Sequence, residues 1–156
     1  MNSPAPYTIE SDDFVGLNVL LVEDDEIMRL SLEDRMRLEN IPVQVADTLE
    51  GARSALEKGD IDMVVADIRL PDGSGSELFD DISRHFPGTP VVLMTAFGDV
   101  SDAVALVKAG AVDYLTKPFD MKAFISTVRR NLSRIADMKM SAEPLGLHED
   151  EFRPGS

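Results

Sequence analysis

Met63-Val-Val-Ala-Asp67 is the stretch that decides the fold, because four apolar residues lead directly into an acid. Similar short apolar runs occupy residues 19–22, 91–94 and 114–116. Runs of this length and composition predict strands that are buried on both faces of a parallel sheet. The carboxyl ends of parallel strands share one edge, where ligands bind. The pattern therefore predicts a functional site at that edge.

Amphipathic segments alternate with these strands. Met28, Leu32 and Met36 recur every four residues and predict a helix over residues 25–39. Further helices are predicted over 49–58, 76–86, 101–109 and 121–139, with Asp47 or Thr48 as the N-cap of the second, and a short strand over 42–46. Five repeats of a strand and a helix predict an α/β fold, with a five-stranded parallel sheet that is doubly wound, (βα)5.

Composition narrows the possible functions. The chain has 156 residues, 44% of them hydrophobic, which is enough for one domain with a core. Its net charge of -14 argues against direct binding of nucleic acid, and the lack of cysteine excludes thiol chemistry. No apolar run is long enough to cross a membrane, and no signal peptide is evident. We therefore expect a soluble, cytoplasmic protein.

The ends of the chain differ from its centre. Residues 1–14 are polar, contain two prolines and are predicted to form a flexible leader. Residues 15–140 form the predicted domain. Residues 141–156 contain Pro144, Gly146, Pro154 and Gly155, and we expect a flexible tail or a remnant of cloning.

Three acids are predicted to meet at the edge of the sheet. Asp67 follows one buried run, while Glu23 and Asp24 follow its neighbour. Two carboxylates about 4 Å apart repel each other by roughly 4 kcal/mol at an effective dielectric constant of 20. A divalent cation would relieve this repulsion, and oxygen ligands of this kind suit Mg²⁺. The sequence therefore predicts a magnesium site.

A lysine and a hydroxyl group are predicted at the same edge. Lys117 follows the last strand, where its ammonium group would pair with Asp67, and the Lys117–Pro118 bond is a candidate for the cis form. Thr95 ends the preceding strand. Aspartate is a competent nucleophile toward phosphoryl groups, and a cation and a lysine supply the charge stabilisation that phosphoryl transfer needs.

Four motifs identify a resemblance to a known family. The chain resembles the receiver domains of bacterial two-component response regulators over about residues 17–139, which implies a flavodoxin-like receiver fold. The motifs are Val19-Leu-Leu-Val-Glu-Asp-Asp25, Val65-Ala-Asp-Ile-Arg-Leu-Pro-Asp-Gly73, Val92-Leu-Met-Thr-Ala96 and Tyr114-Leu-Thr-Lys-Pro-Phe119.

The resemblance implies a role for individual residues. Asp67 would accept a phosphoryl group from a phosphohistidine of a sensor histidine kinase. Glu23 and Asp24 would form the acidic pocket, and Mg²⁺ would be held by Asp24, Asp67 and the backbone carbonyl of Arg69. The remaining expected roles are the switch hydroxyl (Thr95), the phosphoryl-binding lysine (Lys117), the rotating aromatic ring (Tyr114), and two bulky side chains that limit the access of water to the acyl phosphate (Arg69 and Phe97).

The resemblance also implies an output. The motifs are similar to those of transcription activators with an ATPase domain and of regulators with a small helix-turn-helix domain, and the sequence does not choose between them. The switch would act on an output domain or partner through the face formed by the fourth helix, fifth strand and fifth helix, residues 100–139.

The last predicted helix suggests assembly. An apolar stripe is formed by Phe124, Val128, Ile135 and Met138. It would support a homodimer when the protein is phosphorylated, with Arg129, Arg130 and Arg134 facing Asp99, Asp102 or Asp113 of a second copy. Fraying of the helix is the alternative interpretation of the stripe.

Two other functions remain possible. A Mg²⁺-dependent phosphatase of the haloacid dehalogenase kind also uses an aspartate nucleophile, but it needs a second aspartate where Arg69 stands. An acidic adaptor would leave Thr95 and Lys117 without a role. We therefore expect the chain to catalyse only its own phosphorylation and dephosphorylation, without turnover of an external substrate.

Overall fold

A parallel sheet of five strands forms the centre of the molecule. The computed structural model describes the backbone of residues 14–148 and the side chains of residues 14–140. The strands of the sheet are β1 (Val19–Val22), β2 (Val43–Ala46), β3 (Met63–Asp67), β6 (Val91–Ala96) and β7 (Asp113–Lys117). They lie in the order β2-β1-β3-β6-β7.

Five α-helices pack on both faces of the sheet; four of them connect its strands, and the fifth follows the last strand. They are α1 (Glu26–Leu38), α2 (Leu49–Lys58), α3 (Gly75–His85), α4 (Val100–Lys108) and α5 (Met121–His148). The alternation of strand and helix, the parallel pairing and the doubly wound arrangement confirm the predicted fold. None of the helices in the described part of the chain is both long enough and apolar enough to cross a membrane.

The core has two halves, one on each face of the sheet. Successive side chains of a strand point to opposite faces. Leu20 and Val22 of β1 therefore pack under α2 and α3, while Val19 and Leu21 pack under α1 and α5. All residues of β1 and β3 are buried, as the apolar runs predicted. Each fully buried aliphatic side chain of this kind contributes about 1.5–3 kcal/mol to folding.

Three strands extend further toward the functional edge than predicted. Asp67 pairs with Met94 and is the last residue of β3, although the sequence placed it beyond the strand. Thr95 pairs with Thr116, and Lys117 pairs with Ala96, so both lie within strands as well. Backbone pairing between these strands continues past their last apolar side chains, so each strand is longer than its apolar run. The polar residues are consequently held by the sheet itself.

A short hairpin after β3 was not predicted. Its strands are β4 (Arg69–Leu70) and β5 (Gly73–Ser74), which flank a turn at Pro71-Asp72. The hairpin leads directly into α3, whose first residue is Gly75. A Cβ atom at Gly75 would lie 2.7 Å from the carbonyl oxygen of Asp67, so only glycine allows this close approach.

The predicted domain boundaries need two corrections. Phe14, assigned to the leader, is 3% exposed and packs in the core, with the guanidinium of Arg129 5.2 Å from the centre of its ring. Helix α5 continues through His148, whereas an end near residue 139 and a flexible tail from 141 were predicted. Residues added to the end of an existing helix do not incur the cost of helix nucleation. The composition of the predicted tail gave no sign that the helix would continue into it. The rest of both predicted segments, residues 1–13 and 149–156, lies outside the described residues.

The second helix shows how local signals fix an element. Thr48 is its N-cap, and the Thr48 hydroxyl accepts a hydrogen bond from the backbone N–H of Gly51 at 2.9 Å. Gly59 ends the helix with φ +89°, a conformation that favours glycine. Thr48 was one of the two predicted N-cap residues, and the observed helix has the predicted bounds.

Candidate functional site

The predicted polar side chains meet at the carboxyl edge of the sheet, on three of its five strands. Glu23 follows β1, Asp67 ends β3, and Lys117 ends β7. Because β1 and β6 flank β3, and β7 lies beside β6, these residues approach one another although up to 94 positions separate them in sequence. The structure thus brings together the acids and the lysine that sequence analysis placed at one edge.

Lys117 holds two of the acids. Its Nζ atom donates hydrogen bonds to Glu23 Oε1 at 2.5 Å and to Asp67 Oδ2 at 2.7 Å. The side chains of Glu23 and Asp67 are 1% and 12% exposed, and that of Lys117 is 21% exposed. The Lys117–Pro118 peptide bond is cis, as anticipated. The pairing of Lys117 with Asp67 was predicted, whereas its equally close contact with Glu23 was not.

Burial and pairing act against each other on these groups. Burial raises the pKa of Glu23 above its usual range, and the hydrogen bonds from Lys117 and the Asp25 N–H only partly offset this. Burial would lower the pKa of Lys117, but the hydrogen bonds to Asp67 and Glu23 outweigh it, and the pKa is raised. The lysine therefore remains charged between two carboxylates at neutral pH.

The three acids form a group of oxygen atoms that suits a divalent cation. One carboxylate oxygen from each of Glu23, Asp24 and Asp67 lies within 4.8 Å of the others. Glu23 and Asp67 are buried, while Asp24 is exposed to solvent. One lysine cannot neutralise three carboxylates, and hard oxygen ligands with access to water suit Mg²⁺. The donor set fits the magnesium site that the sequence predicted.

A cavity of about 240 Å³ opens beside this group. Its lining residues are Asp24, Asp67, Arg69, Leu70, Pro71, Ala96, Asp99 and Lys117. The Arg69 side chain crosses one side of the cavity and binds Asp99, with Nε 2.6 Å from Oδ2 and Nη2 2.9 Å from Oδ1. The backbone N–H of Arg69 also donates to Asp67 Oδ1 at 3.2 Å. The cavity is large enough for a small anion beside Asp67.

Thr95 and Tyr114 lie in the adjacent strands β6 and β7. Thr95 is fully buried, and its hydroxyl donates a hydrogen bond to the carbonyl oxygen of Ala96 at 3.2 Å. Tyr114 is half-buried and packs against the core under α3 and α4. Phe97, which was expected to limit the access of water, is 83% exposed at the start of a 3-10 turn, Phe97–Asp99.

The structure corrects the predicted dimer contacts. Phe124 and Val128 are fully buried in the core of the chain, so they cannot face a second copy. Arg130 pairs with Asp113 of the same chain at 2.6 Å, and Asp99 is held by Arg69. The apolar stripe along α5 was therefore mostly a core stripe, because this helix covers the sheet for longer than expected.

Sequence analysis missed two acids of the site region. Asp72, in the hairpin turn, accepts hydrogen bonds from the backbone N–H groups of Leu49 at 2.7 Å and Glu50 at 3.0 Å. These contacts lower the pKa of Asp72. Asp99 was considered only as a dimer contact, yet Arg69 binds it and lowers its pKa. The acid in the Pro-Asp-Gly turn was a usable signal for Asp72, whereas no local pattern links Arg69 to Asp99.

The fold and the edge site define a class, the flavodoxin-like receiver domains, and comparison with known proteins agrees. The sequence model described as "Response regulator receiver domain" matches residues 19–129. The response regulator protein FleR of Pseudomonas aeruginosa is 38% identical over 117 residues, covering 75% of this chain and 25% of FleR. The DNA-binding transcriptional regulator NtrC of Proteus hauseri is 33% identical over 122 residues, covering 78% of this chain and 26% of NtrC.

Solved structures show the same architecture. The non-phosphorylated HemR receiver domain from Leptospira biflexa has a TM-score of 0.70 and 32% identity, with 75% of this chain and 94% of that one covered. The signal receiver domain of a putative LuxO repressor from Vibrio parahaemolyticus has a TM-score of 0.74 and 30% identity, with 81% and 97% covered.

The chain belongs to the response regulator receiver domain family of two-component systems. The function of this family is to accept a phosphoryl group, and the relatives include bacterial transcription regulators. The chain spans about a quarter of the length of FleR and NtrC.

Proposed function

We propose that Asp67 is the phosphoacceptor of this receiver domain. The observation that carries the proposal is the contact of Asp67 with Lys117 at 2.7 Å, beside an open cavity and inside a group of three carboxylates. Asp67 is held by β3, and the close approach of Gly75 fixes its backbone. A rigid carboxylate beside a lysine suits phosphoryl transfer, which depends on positioning and charge neutralisation.

The reaction forms one bond and breaks one. A carboxylate oxygen of Asp67 attacks the phosphorus atom, and the bond between phosphorus and the leaving group breaks, with the electron pair departing on that group. Lys117 remains near its present position, where its ammonium group donates to an oxygen of the transferred phosphoryl group. The product is an acyl phosphate on Asp67.

Glu23, Asp24, Asp67 and the backbone carbonyl of Arg69 are assigned to Mg²⁺ in this proposal. The support is the separation of the acid oxygens, within 4.8 Å, and the presence of Arg69 in the cavity lining. When bound, the ion supplies positive charge beside the transferring phosphoryl group. Glu23 is buried and held by Lys117, so it contributes mainly negative charge, while exposed Asp24 is free to bind through oxygen or water.

In this proposal, Thr95 and Tyr114 transmit the effect of phosphorylation at Asp67 to the surface of the domain. The Thr95 hydroxyl turns from the Ala96 carbonyl to the phosphoryl group, and Tyr114 moves into the space that it leaves. Shifting a population from 1:99 to 99:1 requires about 5.5 kcal/mol. One hydrogen bond to a charged group supplies about 1.5–3 kcal/mol, so Lys117 must contribute much of the rest. The surface that changes is formed by α4, β7 and α5.

The partners follow from this role. A sensor histidine kinase supplies the phosphoryl group, and an output domain or partner protein, serving transcription, reads the changed surface. The matched relative NtrC is a DNA-binding transcriptional regulator, which supports this output. Turnover of an external phosphate ester is not proposed, because position 69, where a phosphatase of this chemistry needs an acid, holds an arginine bound to Asp99.

Dimerisation on phosphorylation is proposed through the distal half of α5. Met138 is 71% exposed and Ile135 is partly buried, beside a groove of about 390 Å³ that also involves Pro87 and Pro90. Sedimentation of the phosphorylated protein tests this: Met138→Asp should reduce association more than Arg130→Ala. A monomer at tens of micromolar, or equal effects of the two changes, would contradict it.

Phosphorylation itself is tested by mass. Incubation with acetyl phosphate and Mg²⁺ should add one phosphate, which hydroxylamine removes, and Asp67→Asn should not react. Asp80→Asn, an exposed acid on α3, is the matched control and should react like the parent. Addition of phosphate to Asp67→Asn at the parental rate would show that another group is the acceptor.

A further inference from the structure

The pair formed by Arg69 and Asp99 joins the two loops that border the cavity. Arg69 lies in β4, two residues after Asp67, and Asp99 ends the 3-10 turn that precedes α4. Both hydrogen bonds are short, at 2.6 Å and 2.9 Å, and they match the fork of the guanidinium to both carboxylate oxygens. The pair therefore connects the segment after the phosphoacceptor to the start of α4.

The side chains of Arg69 and Asp99 differ in their exposure to solvent. The Arg69 side chain is 79% exposed, whereas that of Asp99 is 11% exposed. The hydrogen bond and charge of Asp99 raise the pKa of Arg69 most, and the charges of Asp102 and then Asp67 add to this effect. An exposed guanidinium is not fixed by packing and can exchange one acceptor for another, while the buried Asp99 stays with its turn.

Asp99 is in position to cap α4 but does not do so. In α1, α2 and α3, the side chain of the N-cap residue accepts a hydrogen bond from the first turn; these residues are Asp25, Thr48 and Ser74. Asp99 is the N-cap residue of α4, and its side chain accepts no such bond. Both of its oxygens are bound to Arg69 instead. Loss of Arg69 would leave a carboxylate beside unpaired helix N–H groups.

After phosphorylation, the charges in the cavity favour release of Arg69 from Asp99. Among the lining residues, Arg69 and Lys117 are the cations, and Lys117 is already bound to buried Glu23. A phosphoryl group on Asp67 carries about -1.5 to -2 charge and three acceptor oxygens. It is thus a stronger acceptor for a guanidinium than the single carboxylate of Asp99.

We propose that Arg69 and Asp99 form a latch that phosphorylation opens: Arg69 moves to the phosphoryl oxygens, and the released Asp99 caps α4. This inference rests on the proposed role of Asp67. Asp99 has φ -111° and ψ 15°, outside the extended conformation usual for an N-cap, so capping requires the turn Phe97–Asp99 to rearrange. Phosphorylation is thereby coupled to the start of α4.

This proposal predicts opposite effects of replacing Arg69 and of replacing Asp99. Arg69 assists the phosphoryl group, and Asp99 competes with the phosphoryl group for Arg69. Asp99→Asn should therefore tighten the binding of a mimic of the phosphoryl group at Asp67, and Arg69→Gln should weaken this binding. Asp99 acts only through Arg69, so Asp99→Asn should have no further effect once Arg69 is Gln. An ion pair with a merely structural role would change binding in the same direction when either partner is replaced.

Titration with beryllofluoride, a mimic of the phosphoryl group, in the presence of Mg²⁺ measures these effects. We expect binding about threefold to tenfold tighter for Asp99→Asn and weaker by a similar factor for Arg69→Gln. Asp81→Asn, which breaks the Arg53–Asp81 pair of 2.6 Å between α2 and α3, is the matched control and should leave binding unchanged. Equal tightening by Asp99→Asn with Arg or Gln at position 69 would indicate a simple charge effect and overturn the latch.

Amide hydrogen exchange provides the second test. Exchange at Ser101 and Asp102, in the first turn of α4, should slow when beryllofluoride binds to the parent protein and not when it binds to Asp99→Ala. Unchanged exchange in the parent would overturn the proposal. Failure of the parent protein to gain phosphate from acetyl phosphate would instead refute the role of Asp67, so the two failures are distinguishable.

Discussion

Replacing Lys117 by glutamine tests the electrostatic balance of the site. The change keeps a long polar side chain but removes the charge between Glu23 and Asp67. Glu23 is 1% exposed, so its carboxylate would be left buried beside a second acid. Removing one member of a buried ion pair usually costs about 3–5 kcal/mol.

The loss of stability has an upper limit, because Glu23 can take up a proton. Protonating a carboxyl group with the ordinary pKa of 4.5 at pH 7 costs about 3.4 kcal/mol, or about 1.4 kcal/mol for each pH unit. We therefore expect Lys117→Gln to lower the free energy of unfolding by about 3 kcal/mol at pH 7 without metal. A carboxyl group whose folded-state pKa is raised opposes folding above its unfolded pKa. The loss should accordingly shrink by about 2 kcal/mol at pH 5.5.

Urea unfolding in EDTA at the two pH values measures this loss. The matched control is Lys139→Gln, since Lys139 is 57% exposed and pairs with Asp62 at the surface. That pair should contribute about 0–1 kcal/mol at both pH values. Mg²⁺ should restore part of the stability of Lys117→Gln by binding the folded state. Equal losses for the two variants, or a loss for Lys117→Gln that does not depend on pH, would refute the reasoning.

Three further predictions concern neighbouring positions. Asp24→Ala should remove repulsion within the acid cluster and raise the stability of the metal-free protein by about 1 kcal/mol, while weakening Mg²⁺ binding; thermal melts with and without Mg²⁺ decide. Gly75→Ala should cost about 1–3 kcal/mol and slow phosphorylation, because its Cβ would meet the Asp67 carbonyl at 2.7 Å, whereas Gly98→Ala meets nothing within 4 Å and should do neither. Asp72→Asn should destabilise the protein more at pH 7 than at about pH 3, since a lowered pKa stabilises the fold above the unfolded value of 3.8 and this stabilisation is lost as the pH falls through the folded pKa. Urea unfolding at both pH values tests it, and equal destabilisation at both would contradict it.

The fold could be predicted well because its signals are local. The apolar run before Asp67 has the composition of a strand buried on both faces, and Thr48 and Gly59 bound a helix by backbone chemistry that involves only nearby residues. The predicted strand ends were short by one or two residues. Thr95 and Lys117 join the sheet through pairing with each other's strands, which no single segment encodes.

The candidate site was predictable for a related reason. A residue that ends a parallel strand has a known place, so Glu23, Asp67 and Lys117 could be assigned to one edge before their contacts were known. The contact of Lys117 with both acids required the strand order and register. The Asp72 contacts with α2 and the pairing of Arg69 with Asp99 depend on how loops 23 and 30 residues apart approach each other, and these were missed.

The sequence by itself determined the alternating fold, the edge that carries the site and the chemical types gathered there, because hydrophobic periodicity and strand ends are properties of short segments. The pairing of Lys117 with Asp67 was predicted from the sequence, but tertiary structure alone decided other charge pairs, such as Arg69 with Asp99 and Arg130 with Asp113. The apolar stripe of α5 illustrates the difference: Phe124, Val128 and Met138 all belong to it, yet Phe124 and Val128 are buried and Met138 is exposed. Whether an apolar or charged side chain meets the core, a partner within the chain or solvent depends on the packing of distant segments.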